Sequence, residues 1–312
     1  MKRLASTLFG SLLFVSATFG QSAIEECANY LTAGDYRRAI LAGQRAVRMF
    51  PNSVEANFCL GASYLQVGEL KLAVEYLKRA ESLTSDKNHL SAIYNLLGQA
   101  SYRMDDLDLA LYYYSKKLAI DRELGKKEGE ATALNNIAEI YRKKRDYNKA
   151  LEYYQQALNL GKDDKNKATV YNNIAFVYSA KGDYNKAIEY FQKAIELGER
   201  VGDYREVAGR YLNLGNTYIK VKNYELAEKY LTEGIKRLQR VGDKYGEAVG
   251  YGFLGFLYKD KGNNELAIDY LTKAYNLFKS IGAQADAEGV KYILLTLGAD
   301  LDKPQKGEKK KR

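Results

Sequence analysis

The feature that most limits how this chain can fold is that it repeats itself. Aligned on one recurring alanine, it gives Ala39, Ala73, Ala110, Ala150, Ala187, Ala227 and Ala267, at intervals of 34, 37, 40, 37, 40 and 40 residues. A period in that range marks an array of small units, each too small to bury its own apolar face and therefore stacked on its neighbours. Residues 171–194, YNNIAFVYSAKGDYNKAIEYFQKA, are the clearest copy. Large residues return there every three or four places on both sides of Gly182-Asp183, which is helical spacing and not the alternation of a strand. Ala175 and Ala187 are small where two helices must approach closely. Gly182 suits the left-handed conformation that ends a helix, and Asp183 suits the cap of the next.

The first half of the unit recurs as Leu134-x2-Ile137-Ala138-x2-Tyr141, Tyr211-x2-Leu214-Gly215-x2-Tyr218 and Tyr251-x2-Leu254-Gly255-x2-Tyr258. The second half recurs as Ala150-x3-Tyr154-x2-Ala157 and Ala267-x3-Leu271-x2-Ala274. On these residues the chain resembles the tetratricopeptide repeat family. Seven copies are expected, over about 21–53, 54–87, 91–124, 131–164, 168–201, 208–241 and 248–281. The chain departs from the pattern at Ser101, where a Tyr is expected, and at Lys117, where a small residue is expected. Only the first copy ends in the expected proline, Pro51. The longer copies carry six extra residues, under two helical turns and expected to be shared between the two helices. Such lengthened repeats resemble those of kinesin light chain and related peptide-binding adaptors. The resemblance implies an all-α fold, a right-handed α-solenoid of seven helix-turn-helix hairpins. Residues 283–298 repeat the first-helix pattern once more and read as a C-terminal capping helix.

The two ends are different in kind. Lys2 and Arg3 precede a short apolar run broken by small and hydroxyl residues, with Thr18 and Gly20 placed before a cut at Gln21. Residues 1–20 therefore read as a signal peptide, and the mature chain as exported, periplasmic or secreted. The formal charge is +9, to which Lys2 and Arg3 give +2 and residues 303–312 give +5, leaving +2 for the repeats. The basic balance thus reports a disordered basic tail on a nearly neutral array, and not a nucleic-acid groove. That tail could hold an anionic surface weakly, or serve only to keep the chain in solution.

Cys27 and Cys59, about one repeat apart, can either pair or fill gaps as buried thiols; the second reading is favoured here, because stacked repeats need no staple. His89, the one histidine, follows a loop expected at Ser85 to Asn88 and has no second histidine to complete a metal set. Residues 250–255, GYGFLG, match the dinucleotide fingerprint in letters, but they fall inside a first helix instead of between a strand and a helix. The carboxylate pairs Asp105-Asp106 and Asp163-Asp164 sit at turns, where acids cap helices. The 28 tyrosines recur at fixed places in each copy and read as packing residues. No cofactor, metal site or enzymatic activity is expected.

The resemblance implies a protein or peptide partner on the array's concave face. Asn136, Asn173 and Asn213 each stand just before the Leu or Ile that precedes the small packing residue. In tetratricopeptide proteins that resemble this one, asparagine at that place holds the backbone of an extended ligand, since one amide both donates and accepts. Asn135 and Asn172 thicken this row, and Asn95 and Asn216 extend it. Phe176, Leu212 and Phe256 are the apolar candidates; Arg103, Arg142, Lys143 and Lys220 are available for acidic groups. The rival function is a structural spacer in an envelope assembly that meets its partners through its convex face or ends.

Overall fold

A computed structural model describes residues 21–299. The leader expected over residues 1–20 and the basic tail over 303–312 lie outside the described residues. Fifteen helices and no strand occur among the described residues, and the chain forms two compact units that part between Lys162 and Asp163.

The first unit holds α1 (Gln21–Ala33), α2 (Tyr36–Met49), α3 (Val54–Val67), α4 (Leu70–Ser82), α5 (Lys87–Arg103), α6 (Leu107–Glu123), α7 (Lys127–Lys143) and α8 (Tyr147–Leu160). They pair as four hairpins, and the second helix of each of the first three also packs on the next hairpin's first helix. The second unit holds α9 (Asp164–Ala180), α10 (Tyr184–Arg200), α11 (Tyr204–Lys220), α12 (Tyr224–Arg240), α13 (Lys244–Asp260), α14 (Asn264–Ser280) and α15 (Gln284–Thr296). These make three hairpins in the same style, and α15 closes the stack. Ala287 of α15 is buried with Ala248, Ala274 and Phe278 of the last hairpin. The first two hairpins have helices of 13 or 14 residues. All six helices of the second unit's hairpins have 17, so the added residues are divided between the two helices.

Turn chemistry sets the helix limits. Gly182 has φ +80°, and the Asp183 carboxylate accepts the Lys186 N–H at 3.2 Å. The same cap recurs at Asp35, Asp106 and Asp146, with Asn223 and Asn263 in the aspartate's place later on. Asp163 caps α9 by accepting from Asn166 N–H at 3.0 Å. The loop expected at 85–88 is shorter than anticipated. The Asp86 carboxylate accepts from the N–H of both Asn88 and His89, so α5 already begins at Lys87.

Across the last four hairpins, tyrosines twelve residues apart stack face to face. Tyr141–Tyr153, Tyr178–Tyr190, Tyr218–Tyr230 and Tyr258–Tyr270 all have centroids 5.4 Å apart. Lysines complete the stack in places: Lys186 lies 5.1 Å over Tyr178 and Lys193 lies 4.9 Å over Tyr190. Such cation–π contacts contribute about 0.5–1 kcal/mol each where exposed. The ring faces are thus occupied by protein groups.

The third hairpin solves its two departures locally. Ser101 is buried without a hydrogen-bond partner, and Tyr113, which would face a tyrosine there, stacks on Tyr94 at 6.0 Å instead. Lys117 takes the place of Ala157 and Ala194 in other copies and is buried. Its ammonium pairs with the buried Asp121 carboxylate, which also accepts from Ser91 Oγ at 2.7 Å. Burial pulls the Lys117 amine below its ordinary range, against the opposing pull of Asp121.

The cysteines overturn the expectation of two free thiols. Cys27 of α1 and Cys59 of α3 form a disulfide, because neighbouring first helices lie side by side and bring two residues one repeat apart within bonding reach.

Helices of one hairpin approach closely at the small residue of the first helix. A Cβ added to Gly215 would stand 2.7 Å from Leu231 Cγ and 3.1 Å from Leu231 N. One hairpin earlier the same place is Ala175, whose counterpart sixteen residues on is Phe191. Gly215→Ala is therefore expected to destabilise the chain by about 1–2 kcal/mol, the overpacking cost outweighing alanine's better helix propensity. Urea unfolding of the full chain measures it; an unchanged midpoint would mean that α11 and α12 separate freely.

Candidate peptide-binding face

The asparagines sit where neighbouring first helices meet. In the first unit Asn136 Nδ2 of α7 donates to Asn95 Oδ1 of α5 at 3.5 Å, and Asn135 Nδ2 donates to Asn136 Oδ1 at 3.4 Å. In the second unit Asn213 Nδ2 of α11 donates to Asn172 Oδ1 of α9 at 3.4 Å. Both bridges span 41 residues and join the same two places of the repeat. Asn95 is buried, whereas Asn135, Asn136, Asn172, Asn173, Asn213 and Asn216 are half-buried. An amide has two donors and two acceptor lone pairs, and a bridge uses one of these on each side. Asn136, Asn172 and Asn213 therefore each tie two helices together, and an amide so bridged keeps capacity for a further bond.

The remaining candidates divide. Phe176 and Phe256 stand one residue after the small packing position in α9 and α13, and 36% and 37% of their surface is exposed. Phe176 also sets its ring edge-on to Phe191 at 5.3 Å. Asn216 occupies the same place in α11. Leu212 does not belong to the face: only 3% of it is exposed. The reason lies in two glycines. A Cβ at Gly234 would come within 2.7 Å of Leu212 Cδ2, and one at Gly250 within 3.2 Å, so the missing side chains leave a hollow that Leu212 fills.

Of the basic residues, Lys220 is exposed at the end of α11. The other three are engaged. Arg103 donates to the Leu65 carbonyl. Lys143 pairs with Asp105 at 2.7 Å and lies 4.7 Å over the Tyr102 ring. Arg142 Nε donates to Glu139 Oε1 at 2.7 Å, while Tyr154 O–H donates to Glu139 Oε2 at 2.7 Å. Burial and the neighbouring Glu139 charge both push the Tyr154 hydroxyl well above its ordinary range. Burial works against the Arg142 charge, but its bonds to Glu139 outweigh that and hold the guanidinium charged. The Glu139 cluster was not anticipated from sequence, although one signal was present. Glu139 stands at the place of Phe176, Asn216 and Phe256, and a carboxylate there needs partners.

The first unit thus carries an amide bridge beside a satisfied ionic cluster. The second carries an amide bridge with Phe176, Asn216, Phe256 and Lys220 on its first helices. No helix among the described residues is long and apolar enough to cross a membrane, and no group of three or more His, Cys, Asp or Glu side chains is placed to hold a metal there. The glycines of residues 250–255 lie inside α13.

Family models described as tetratricopeptide repeat match residues 29–88, 89–163, 166–240 and 206–280. The chain belongs to the tetratricopeptide repeat family. It is 26% identical over 156 residues to anaphase-promoting complex subunit 6 of Arabidopsis thaliana, covering 50% of this chain and 28% of that protein. The chain spans less than a third of the length of that relative. Among solved structures, it matches a signal transduction ATPase with a tetratricopeptide repeat sensor from Pyrococcus horikoshii. That match has a TM-score of 0.68 and 25% identity, covering 88% of this chain and 44% of the other. A Rap protein solved in complex with competence and sporulation factor matches with a TM-score of 0.64 at 15% identity, over 95% of this chain and 91% of the other. The latter likeness is one of fold.

The amide bridges contribute to stability on the ordinary scale of a long, half-exposed hydrogen bond. Asn213→Ala is expected to lower stability by about 0.5–1 kcal/mol, because the Asn172 carbonyl left behind remains within reach of water. A loss several times larger in urea unfolding would show that this residue is chiefly structural.

Proposed function

We propose that the chain is a non-catalytic, exported scaffold that binds an extended protein segment along its first helices. The observation that carries this reading is the half-buried amide row in each unit, bordered in the second unit by the exposed rings of Phe176 and Phe256. An amide with spare donor and acceptor capacity matches a peptide N–H and C=O together. At about 0.5–1.5 kcal/mol per bond, Asn173 and Asn213 of the second unit contribute roughly 1–3 kcal/mol. A micromolar complex requires about 8 kcal/mol, and apolar side chains meeting the two phenylalanines make up much of the difference. Tetratricopeptide repeat proteins mediate protein–protein contacts, and the Rap protein above was solved with a bound factor.

A second reading, attachment through the edges of the stack, draws on exposed apolar groups at the links between hairpins. Val201, Val241 and Ile281 are each about 40% exposed, and Tyr204 is 61% exposed. The triple variant Asn136→Ala, Asn173→Ala, Asn213→Ala separates the two. Binding along the first helices predicts that the folded variant no longer captures the partner that the unaltered protein retains from an envelope extract. Capture at full strength would move the contact to the edges.

Export rests on Lys2-Arg3, the short apolar run and the small residues before Gln21. The Cys27–Cys59 disulfide supports it, since such bonds persist where the compartment is oxidising. Intact-mass measurement on protein from its native host should find a chain beginning near Gln21; a chain that retains residues 1–20 would rule export by cleavage out.

A further inference from the structure

The first hairpin is built unlike the others. Every buried residue described in α1 and α2 is small: Ala23, Cys27, Ala28, Ala39, Ala42, Gly43 and Ala46. The second hairpin buries Phe58, Leu60, Tyr64, Leu65 and Leu77. The larger apolar groups of α1 and α2 that pack beside α3, Ile24, Tyr30, Leu31, Ile40 and Val47, are only partly buried, so each removes less apolar surface from water than a fully buried side chain does. In a stacked array each hairpin is held by its own stability and its contact with a neighbour. The hairpin whose fully buried side chains are all small is also the one held by a covalent bond, between Cys27 and Cys59 across 32 residues.

We infer that this disulfide is a redox latch. Oxidised, it holds the α1–α2 hairpin on α3; reduced, it lets that hairpin open while the rest of the chain stays folded. Both sulfurs are fully buried within a cluster with Ala28 and Ala42. A reductant therefore reaches them only through transient opening of the hairpin itself. The reducing partner is a dithiol. One of its thiolates attacks a cysteine sulfur and the S–S bond breaks, releasing the other cysteine; the second thiolate then attacks the first one's sulfur and displaces the protein cysteine from the mixed disulfide. Two electrons and two protons end on Cys27 and Cys59, and the dithiol leaves as its own disulfide. Opening uncovers the side of α3 that carries Ala56, Cys59 and Leu60, all fully buried while the latch is closed.

By the chain-entropy estimate, closing a loop of this length favours the docked hairpin by on the order of several hundred-fold. Hydrogen exchange on the full chain, oxidised and then treated with dithiothreitol, reads the effect. Exchange in residues 21–49 should rise by at least about a hundredfold on reduction, with residues 70–162 and 163–299 unchanged and both cysteines becoming open to iodoacetamide. The double variant Cys27→Ala, Cys59→Ala should exchange like the reduced chain and ignore the reductant. The latch is refuted if α1 and α2 stay protected after reduction. It is refuted equally if the whole chain loosens together, or if the double variant is as protected as the oxidised protein.

Discussion

The structure depends on how close two helices of one hairpin can come. The approach is set at a single place, where the first helix presents glycine or alanine to a large side chain sixteen residues further on. Gly61 meets Leu77, Gly98 meets Tyr114, Gly215 meets Leu231 and Gly255 meets Leu271. In each case an added Cβ would fall within 2.5 to 2.8 Å of the facing side chain, closer than packed atoms tolerate. Once this spacing is held, tyrosines twelve residues apart come face to face, and the next hairpin finds a regular surface to pack on. The turns reinforce the same geometry, because in every hairpin but the second, where Glu69 makes no side-chain cap, Asp or Asn caps the second helix directly after a left-handed residue. Where the left-handed residue is not glycine, as at Arg145 and Lys222, the backbone carries a strain that the packing overrules.

The same spacing places the first helices side by side, and this gives the asparagines two roles at once. An amide between two helices has a partner on one side and solvent on the other. The bridges Asn136–Asn95 and Asn213–Asn172 therefore orient the amides that a peptide backbone would meet, reducing the entropy lost on binding. The two units are not chemically equal. Glu139, Arg142 and Tyr154 satisfy one another in the first, whereas Phe176, Asn216 and Phe256 leave apolar and amide surface open in the second. In the proposed reading, apolar ligand side chains would match the second unit better than acidic ones, because Lys220 is the one basic candidate there.

The molecule answers weak packing in two different ways. The third hairpin places a lysine among helices where other copies have alanine, and it compensates with a buried carboxylate and a serine, Asp121 and Ser91. Removing either charge would leave the other buried and unpaired, which is far costlier than the pair itself. The first hairpin lacks large buried side chains and has the covalent bond instead. A buried ion pair holds under any redox condition, but a disulfide does not, so only the first hairpin is conditional on its surroundings.

The repeat could be read from sequence because it is a local property. Helical spacing, the Gly-Asp turn and the small residue before each tyrosine are all fixed within about 24 residues, and seven copies remove coincidence. The role of the GYGFLG letters was legible for the same reason, since their place in the repeat put them inside a helix. What the sequence could not decide were distances between residues one repeat apart. Whether Cys27 and Cys59 meet depends on the lateral offset of α1 and α3, which no single hairpin encodes. Leu212 occupies an asparagine place in the repeat, yet it turns inward because Gly234 and Gly250, on two other helices, happen to leave it room. Arg142 and Lys143 read as free charges until Glu139 and Asp105 are brought beside them. The sequence determined the unit, because it follows from contacts inside one hairpin, and its repetition, because a unit this small must stack to bury its apolar face. The tertiary structure alone decided which polar groups are already satisfied, because their partners come from neighbouring helices whose offsets only packing sets.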